Sequence, residues 1–268
     1  MVSAARLRKS QDAILQIRPY AHKLRDILEK LDRGSDSYKE NIFFKEKKIE
    51  KVLIVVITSN RGLCGAFNAN VIKKTLQVVN EKYKSQNDNG NLDIISIGKK
   101  GSDYLAYRKY NVVKSYVDIF DKLSFEHVSP IIKEIINDYA VGHYHRIELI
   151  YNQFKNAGLQ ILVEKQYLPI LHEEKIEDRF EDTVDYILEP TKDYIIKELI
   201  PRSLKIEFYE SLLDSIASEH GARMTAMHKA TDNASDLIRE LQMQFNKARQ
   251  ASITKEILEI VAGAEALK

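Results

Sequence analysis

The sequence has little cysteine, proline or glycine, and each shortage excludes something. Its 268 residues include one cysteine, five prolines and ten glycines. A single cysteine excludes an internal disulfide and a metal site built from cysteines alone, and it is typical of a reducing compartment. Few prolines and glycines favour long helices. The formal net charge of +2 is too small for a dedicated nucleic-acid-binding protein, and no run approaches the ~18 apolar residues of a membrane span.

The first regular pattern covers residues 2–31, which we predict to form one helix. Pro19 lies inside the pattern and should kink the helix near Arg18. The polar run DRGSDS at 32–37 ends it. Apolar residues recur three and four positions apart, the spacing of a coiled-coil seam. They are Ile14, Ile17, Ala21, Leu24, Leu28 and Leu31.

The middle of the chain, residues 51–170, alternates apolar runs with helical patterns at 66–84, 101–109 and 125–140. Strands separated by helices predict a mainly parallel sheet with covering helices. The predicted strands are Val52–Thr58, Leu92–Ile97, Val112–Val117, Arg146–Tyr151 and Ile161–Tyr167. We predict that an acidic linker at 171–190 follows the last of them.

From Ser203 to Leu267 nothing in the sequence stops a helix, and Pro201 suits its first turn. At 1.5 Å per residue, ~64 residues would span roughly 95 Å. A compact domain of ~120 residues is only about 30–40 Å across. We therefore expect the helix to project beyond the sheet domain. The N-terminal helix would lie beside it in antiparallel orientation, with the α/β domain inserted between the two.

The N-terminal helix is too short to cover the long one. It offers ~30 residues for ~64, so roughly half of the long helix has no partner within the chain. Exposed apolar surface of this extent marks a binding site, and we expect another protein to cover it. The apolar residues concerned are Phe245, Ile253, Ile257, Leu258, Ile260, Val261 and Leu267.

A turn with two glycines, in ITSNRGLCGAFNAN at 57–70, joins the first strand to a helix. Such turns often hold a phosphate, but the GxxxxGK[ST] of a P-loop and the GxGxxG of a dinucleotide site are absent. The GxSxG of a nucleophile elbow is absent too. Cys64 near a helix start is a candidate nucleophile, although the seven histidines offer no obvious base. The pattern favours a structural turn, where glycine permits a steep reversal.

Two histidines form a second candidate site. His143 and His145, in HYHRIE, should share one face of a strand. Two ligands on a strand can begin a metal site, but no third ligand is evident. A solvated strand entrance is therefore the favoured interpretation.

The segment FNKARQASITKE at 245–256 is a third candidate, because its basic residues occur with no acid between them: Lys247, Arg249 and Lys255. It fits a solvated helix face or a surface for a membrane or other anionic partner. It also fits a polar contact strip on an inserted helix. In such a strip, arginine and glutamine form hydrogen bonds with backbone or carboxylate groups of the partner.

Three stretches resemble signature stretches of the γ subunit of F-type ATP synthase: SNRGLCGAFN, MTAMHKATDNASDLI and FNKARQASITKEILEIVAGAEAL. MVSAARLRKSQ is similar to the family's N-terminal helix, and the similarity covers nearly the whole chain. The resemblance implies an α/β fold class: an antiparallel coiled coil of N- and C-terminal helices, residues 1–40 and 191–268, with an inserted Rossmann-like domain and linker at 41–190. It implies a non-catalytic central-stalk rotor. Such a rotor couples proton flow through the membrane ring to ATP synthesis in the catalytic head.

The resemblance also implies partners and contact residues. The coiled coil would turn inside the hexamer of α and β subunits, and the inserted domain would stand on the membrane c-ring beside the ε subunit. Contacts with the catch loops of the head fall on Arg249, Gln250, Thr254 and Glu256. Contacts with the ring fall on Tyr186 and Glu189. No cofactor, metal or nucleotide is expected on this chain, and the turn would be structural at Gly62, Cys64 and Gly65.

The chain departs from the family's pattern at its start. Members carry roughly two dozen more residues before the point that aligns with Met1. The regulatory cysteine pair of the chloroplast form is absent, and no transit peptide is evident. We therefore expect a bacterial form, peripheral on the cytoplasmic face of the plasma membrane. Two alternatives stay open: a Rossmann-type nucleotide-binding enzyme that uses the turn at 60–66, and a coiled-coil adaptor unrelated to rotation.

Overall fold

The computed structural model describes residues 2–32, 41–120, 123–170, 189 and 191–265. They belong to two units, Met1–Met224 and Thr225–Lys268. The elements in chain order are α1 (Val2–Asp32), β1 (Val52–Ile57), α2 (Phe67–Lys82), α3 (Lys84–Asp88), β2 (Leu92–Ile97), α4 (Lys99–Tyr107), β3 (Val112–Tyr116), a 3₁₀ turn (Asp118–Phe120), α5 (Phe125–Ala140), β4 (Arg146–Asn156), β5 (Leu159–Leu168) and α6 (Lys192–Glu265).

The five strands form one sheet in the order β3-β2-β1-β4-β5. Strand β1 is parallel to both of its neighbours, with Val52 opposite Leu92 on one side and Arg146 on the other. Strand β3 is parallel to β2, and only β5 runs antiparallel, as a hairpin with β4. The predicted mainly parallel sheet is therefore confirmed, with strand ends shifted by up to five residues.

Helices cover both faces of the sheet, and this explains the unbroken apolar run of β1. Leu53, Val55 and Ile57 pack on the side of α5 and the first part of α6. Val52, Ile54 and Val56 pack on the side of α2 and α4. All six side chains are fully buried. Parallel strands buried on both faces read as continuous hydrophobic runs and show no alternation with polar residues.

The N-terminal helix packs antiparallel to the first part of α6. Ile14 clusters with Leu213 and Ala217, and Leu24 clusters with Ile206. Residue numbers thus rise along one helix as they fall along the other. The predicted antiparallel pair is confirmed within the first unit.

The long helix begins earlier than the sequence suggested. We placed its start near Ser203 with Pro201 in the first turn, but α6 starts at Lys192 and Pro201 lies inside it. An internal proline costs about 3 kcal/mol. Burying one large aliphatic side chain recovers about 1.5–3 kcal/mol, and both Ile200 and Leu204 are buried in the core. Tertiary packing therefore offsets the break that proline would otherwise cause.

Three further predictions are not tested by the structure. Helix α1 is continuous across Pro19, so the kink stays a prediction. The acidic linker lies outside the described residues apart from Glu189, and the division at residues 40 and 190 also stays a prediction. Within the described ranges, no helix combines the length and apolarity needed to cross a bilayer.

Candidate functional site

The second unit is a helical segment whose side chains are exposed from Met227 to Glu265. Eleven of them are large hydrophobic residues, with exposed fractions between 37% and 71%. They are Met227, Leu237, Ile238, Leu241, Met243, Phe245, Ile253, Ile257, Leu258, Ile260 and Val261. A surface of this composition and extent is suited to binding a partner.

The four residues predicted to contact the head lie on this exposed segment. On a helix, positions four or seven apart share a face. Arg249 is therefore on the face of Ile253 and Glu256, whereas Gln250 is on the face of Thr254. Polar and apolar side chains interleave along the same stretch, as a contact strip requires.

The glycine-containing turn is held by its own side chains. Asn68 accepts a hydrogen bond from the Ser59 N–H (2.9 Å) and donates through Nδ2 to the Cys64 sulfur (3.2 Å). Cys64 is buried. The left-handed backbone positions are Leu63, with φ 62°, and Gly65, with φ 57°. Glycine at 65 thus meets a steric need.

Arg223 on α6 occupies the outer side of this turn. Its guanidinium donates to the Arg61 carbonyl (3.2 Å) and the Gly62 carbonyl (3.3 Å). It also pairs with Glu219 (2.7 Å) and donates to His220 Nδ1 (3.3 Å). Burial lowers the pKa of His220 to about 4, so at neutral pH the imidazole is uncharged and Nδ1 can accept. The turn is thereby bonded to the helix.

The long helix also covers the place where doubly wound folds bind ligands. In such sheets that place is the crevice at the carboxyl ends of the strands where the strand order reverses, here between β1 and β4. Ser218 donates to the Asn152 carbonyl (3.1 Å). A Cβ on Gly221 would lie 3.1 Å from the Ala157 Cα, so helix and hairpin backbones are in close contact. Helix α6 therefore lies across this end of β4.

The histidine pair lies at the entrance to β4, where the favoured interpretation put it, and His143 is exposed. His143 and His145 precede β4, which starts at Arg146, so they do not share a strand face. His145 instead exchanges two hydrogen bonds with Lys51: its Nδ1 accepts from the Lys51 N–H (3.2 Å), and its own N–H donates to the Lys51 carbonyl (2.9 Å). In the part of the chain that the structure describes, no cluster of three metal-ligating side chains occurs.

The predicted ring contact is described in part. Tyr186 lies outside the described residues. Glu189 lies in an exposed bend shortly before α6 begins. The carboxylate of Glu189 is thus accessible to a partner.

Comparison with known proteins identifies the family. A protein family described as ATP synthase matches residues 1–267. The ATP synthase gamma chain of Cytophaga hutchinsonii is 47% identical over 268 residues, and that of Flavobacterium psychrophilum is 50% identical; each match covers 100% of this chain and 91% of the relative. The chain belongs to the ATP synthase gamma-chain family. The resemblance inferred from the signature stretches is confirmed.

Solved structures show the same fold as this gamma-chain family member. A chain in the Euglena gracilis mitochondrial ATP synthase (OSCP, F1 and c-ring, rotational state 3) gives a TM-score of 0.62 at 20% identity and covers 98% of this chain and 95% of that chain. A chain in the central stalk and c-ring of Tetrahymena thermophila mitochondrial ATP synthase gives 0.58 at 22% identity, with 86% and 100% covered. These likenesses support the fold class.

Sequence reasoning missed a band of buried polar residues on α6 of this gamma-chain family member. Asp214, Ser218, Glu219 and His220 are at most 9% exposed. Burial raises the pKa of Asp214 to about 6, although Arg18 opposes the shift, and burial also raises the pKa of Glu219. The only local signal was the spacing of Glu219 and Arg223, four positions apart as in a helical ion pair.

Proposed function

We propose that this chain is the central-stalk rotor subunit of a bacterial ATP synthase. Proton flow through a membrane ring would turn it, and the turning helix pair would favour different nucleotide-affinity states of each β subunit in succession. That is selection among conformers by a moving partner. ATP hydrolysis in the head would drive the same shaft backwards.

The observation that carries this proposal is the exposed apolar helix of the second unit. Within the first unit, α1 packs along α6 from Ile206 to Ala217, and the cluster ends at Met224. Beyond it, residues 227–265 keep eleven large hydrophobic side chains exposed. An isolated amphipathic helix is marginal in water unless a partner covers its apolar face. A sleeve of α and β subunits would provide that cover.

Contacts with the partners would divide by region. Arg249, Gln250, Thr254 and Glu256 would meet the catch loops of the α and β subunits. Tyr186 and Glu189, at the end of the linker, would meet the c-ring, and the inserted domain would stand beside the ε subunit. The complex would place the chain on the cytoplasmic face of the plasma membrane, as a peripheral subunit.

The chain itself would be non-catalytic. Arg223 donates hydrogen bonds to the Arg61 and Gly62 carbonyls of the turn. Helix α6 lies across the crevice where a Rossmann-type enzyme would hold its nucleotide. These contacts favour a structural role for Gly62, Cys64 and Gly65. They disfavour the nucleotide-binding enzyme. The family membership disfavours the unrelated adaptor.

Exchanging single side chains in the contact strip tests the proposal. Arg249→Ala should impair assembly or coupling, because losing a charge-assisted contact in a buried interface costs about 1.5–3 kcal/mol. Lys255→Ala is the matched control, since Lys255 has a nearby partner, Glu259 (3.7 Å), on its own helix. The measurement is ATP-driven proton pumping relative to ATP hydrolysis in membranes. Equal behaviour of the two variants would contradict the placement of the strip.

A further inference from the structure

The junction between α1, α6 and the β4–β5 hairpin surrounds a cavity. This cavity has a volume of about 420 Å³, and its lining includes Arg18, Glu210 and Asp214. Apolar clusters close the helix pair on either side of this level, one around Ile14 and one around Ile206. At the level of Arg18, Ile17 packs against both clusters, and charged groups line the cavity beside it.

Arg18 connects three elements at this junction. From α1, its Nη2 donates to Asp214 Oδ1 on α6 (3.0 Å) and to the Phe154 carbonyl on β4 (3.4 Å). Its Nε lies 3.9 Å from Glu210 Oε1, and Arg25 approaches the other oxygen of Glu210 (3.7 Å). The side chain of Asp214 is 2% exposed, so Arg18 supplies the charge that a buried carboxylate needs.

This arrangement is better suited to fixing orientation than to adding stability. Apolar burial is non-directional, so the clusters around Ile14 and Ile206 determine which faces of the helices meet, and the hydrogen bonds of Arg18 add directional control. A guanidinium presents donors in a rigid planar fork. Buried ion pairs often add no net stability over apolar residues, and their best-attested role is to specify register.

We propose that Arg18 is a positioning residue through which torsion of the helix pair passes to the α/β domain. The inference rests on the proposed rotor function. Asp214 holds the guanidinium on α6, and the Phe154 carbonyl holds it on the sheet. With both contacts made, the helix pair and the domain turn as one body. With Arg18 removed, Ser218 and Arg223 still hold α6 to the domain, but the hydrogen bonds that tie α1 to both are lost. The helix pair then yields more to torsion, and part of the rotation is lost.

The test uses membranes that carry the ATP synthase complex assembled with variant chains. Arg18→Met keeps most of the side-chain volume and removes the donors. Arg18→Lys restores a charge for Asp214 without the planar fork. Lys23→Met is the matched control, because Lys23 is exposed on the same helix. For each complex, ATP hydrolysis and ATP-driven proton pumping are measured together.

We expect Arg18→Met to lower the ratio of pumping to hydrolysis by about two-fold or more, the range in which residues that couple two regions usually act. Hydrolysis itself should persist. Arg18→Lys should recover part of the ratio, and Lys23→Met should match the unmodified chain. A normal ratio with Arg18→Met would overturn the proposal.

A second variant distinguishes a folding defect from the loss of positioning. A double variant with Arg18→Met and Asp214→Leu in one chain removes both charges, so no unpaired carboxylate stays buried. If this complex assembles but couples poorly, the positioning role is supported. If it couples normally, or if neither variant assembles, Arg18 serves folding alone and the proposal is wrong. Failure of the unmodified chain to support pumping would instead refute the rotor function.

Discussion

Truncating one residue of the helix seam should loosen the N-terminal helix, and its neighbour in the sequence provides the control. Ile14 is 2% exposed and packs against Leu213 and Ala217 on α6, whereas Leu15 is 67% exposed. Ile14→Ala removes three carbon groups worth about 0.8 kcal/mol each, or about 2.4 kcal/mol. A cavity that does not collapse adds up to about 2 kcal/mol. Leu15→Ala should change stability by no more than about 0.5 kcal/mol.

Hydrogen exchange of the backbone amides measures the difference. A loss of 2.4 kcal/mol corresponds to about a 50-fold fall in protection, at 1.36 kcal/mol per factor of ten. Peptides from α1 should show this fall for Ile14→Ala and hardly any change for Leu15→Ala. Peptides from β1 provide an internal reference. If the two variants lose equal protection in α1, the helix is not seated on α6 as described.

Three other predictions follow from the geometry. Gly98→Ala should lower stability by at least about 3 kcal/mol, because its Cβ would lie 2.2 Å from the Thr58 carbonyl oxygen, in a backbone with φ 104°. In Gly90→Ala the Cβ would meet no atom within 4 Å, so this control should lose only about 1–2 kcal/mol. Thermal unfolding compares the two variants. Between pH 4 and 6 the contribution of Asp214 to the free energy of unfolding should fall by up to about 3 kcal/mol as pH rises, because the folded pKa of Asp214, about 6, lies above its ordinary 3.8. Asp214→Asn should remove that fall in denaturation curves. Finally, calorimetry should detect no micromolar ATP binding by the isolated chain, and binding that needs Gly62 would contradict the structural reading of the turn.

The elements predicted best are those with a local signal. Strand β2 and helix α5 begin and end where the sequence placed them. Strand β2 is a short apolar run, and α5 starts after Ser124, whose side chain accepts a hydrogen bond from the His127 N–H. The seam of α1 was equally readable, because one apolar stripe at helical spacing has to face a partner. The turn was found from its glycines and the candidate contact strip from its charge pattern, and the resemblance to the family assigned the residues that contact the head.

Elements with weaker local signals were predicted less well. The hairpin strands β4 and β5 extend beyond the predicted ends, because strand pairing between them continues where the apolar run stops. The histidines at 143 and 145 were expected to share a strand face, but they precede β4, and His145 lies beside Lys51 just before the paired residues Val52 and Arg146. Strand ends depend on which partner lies alongside, and that partner is not a local property.

The sequence by itself determined the family, the alternation of strands and helices, and the presence of a long helix with more apolar surface than the chain can cover. Only the tertiary structure decided that Pro201 sits inside that helix and that α6 covers the turn and the crevice. It also decided the contact of Arg18 with Asp214, which is 196 residues away in the chain. Periodicity is written into neighbouring residues, whereas the burial of a charge depends on distant segments that fold onto it.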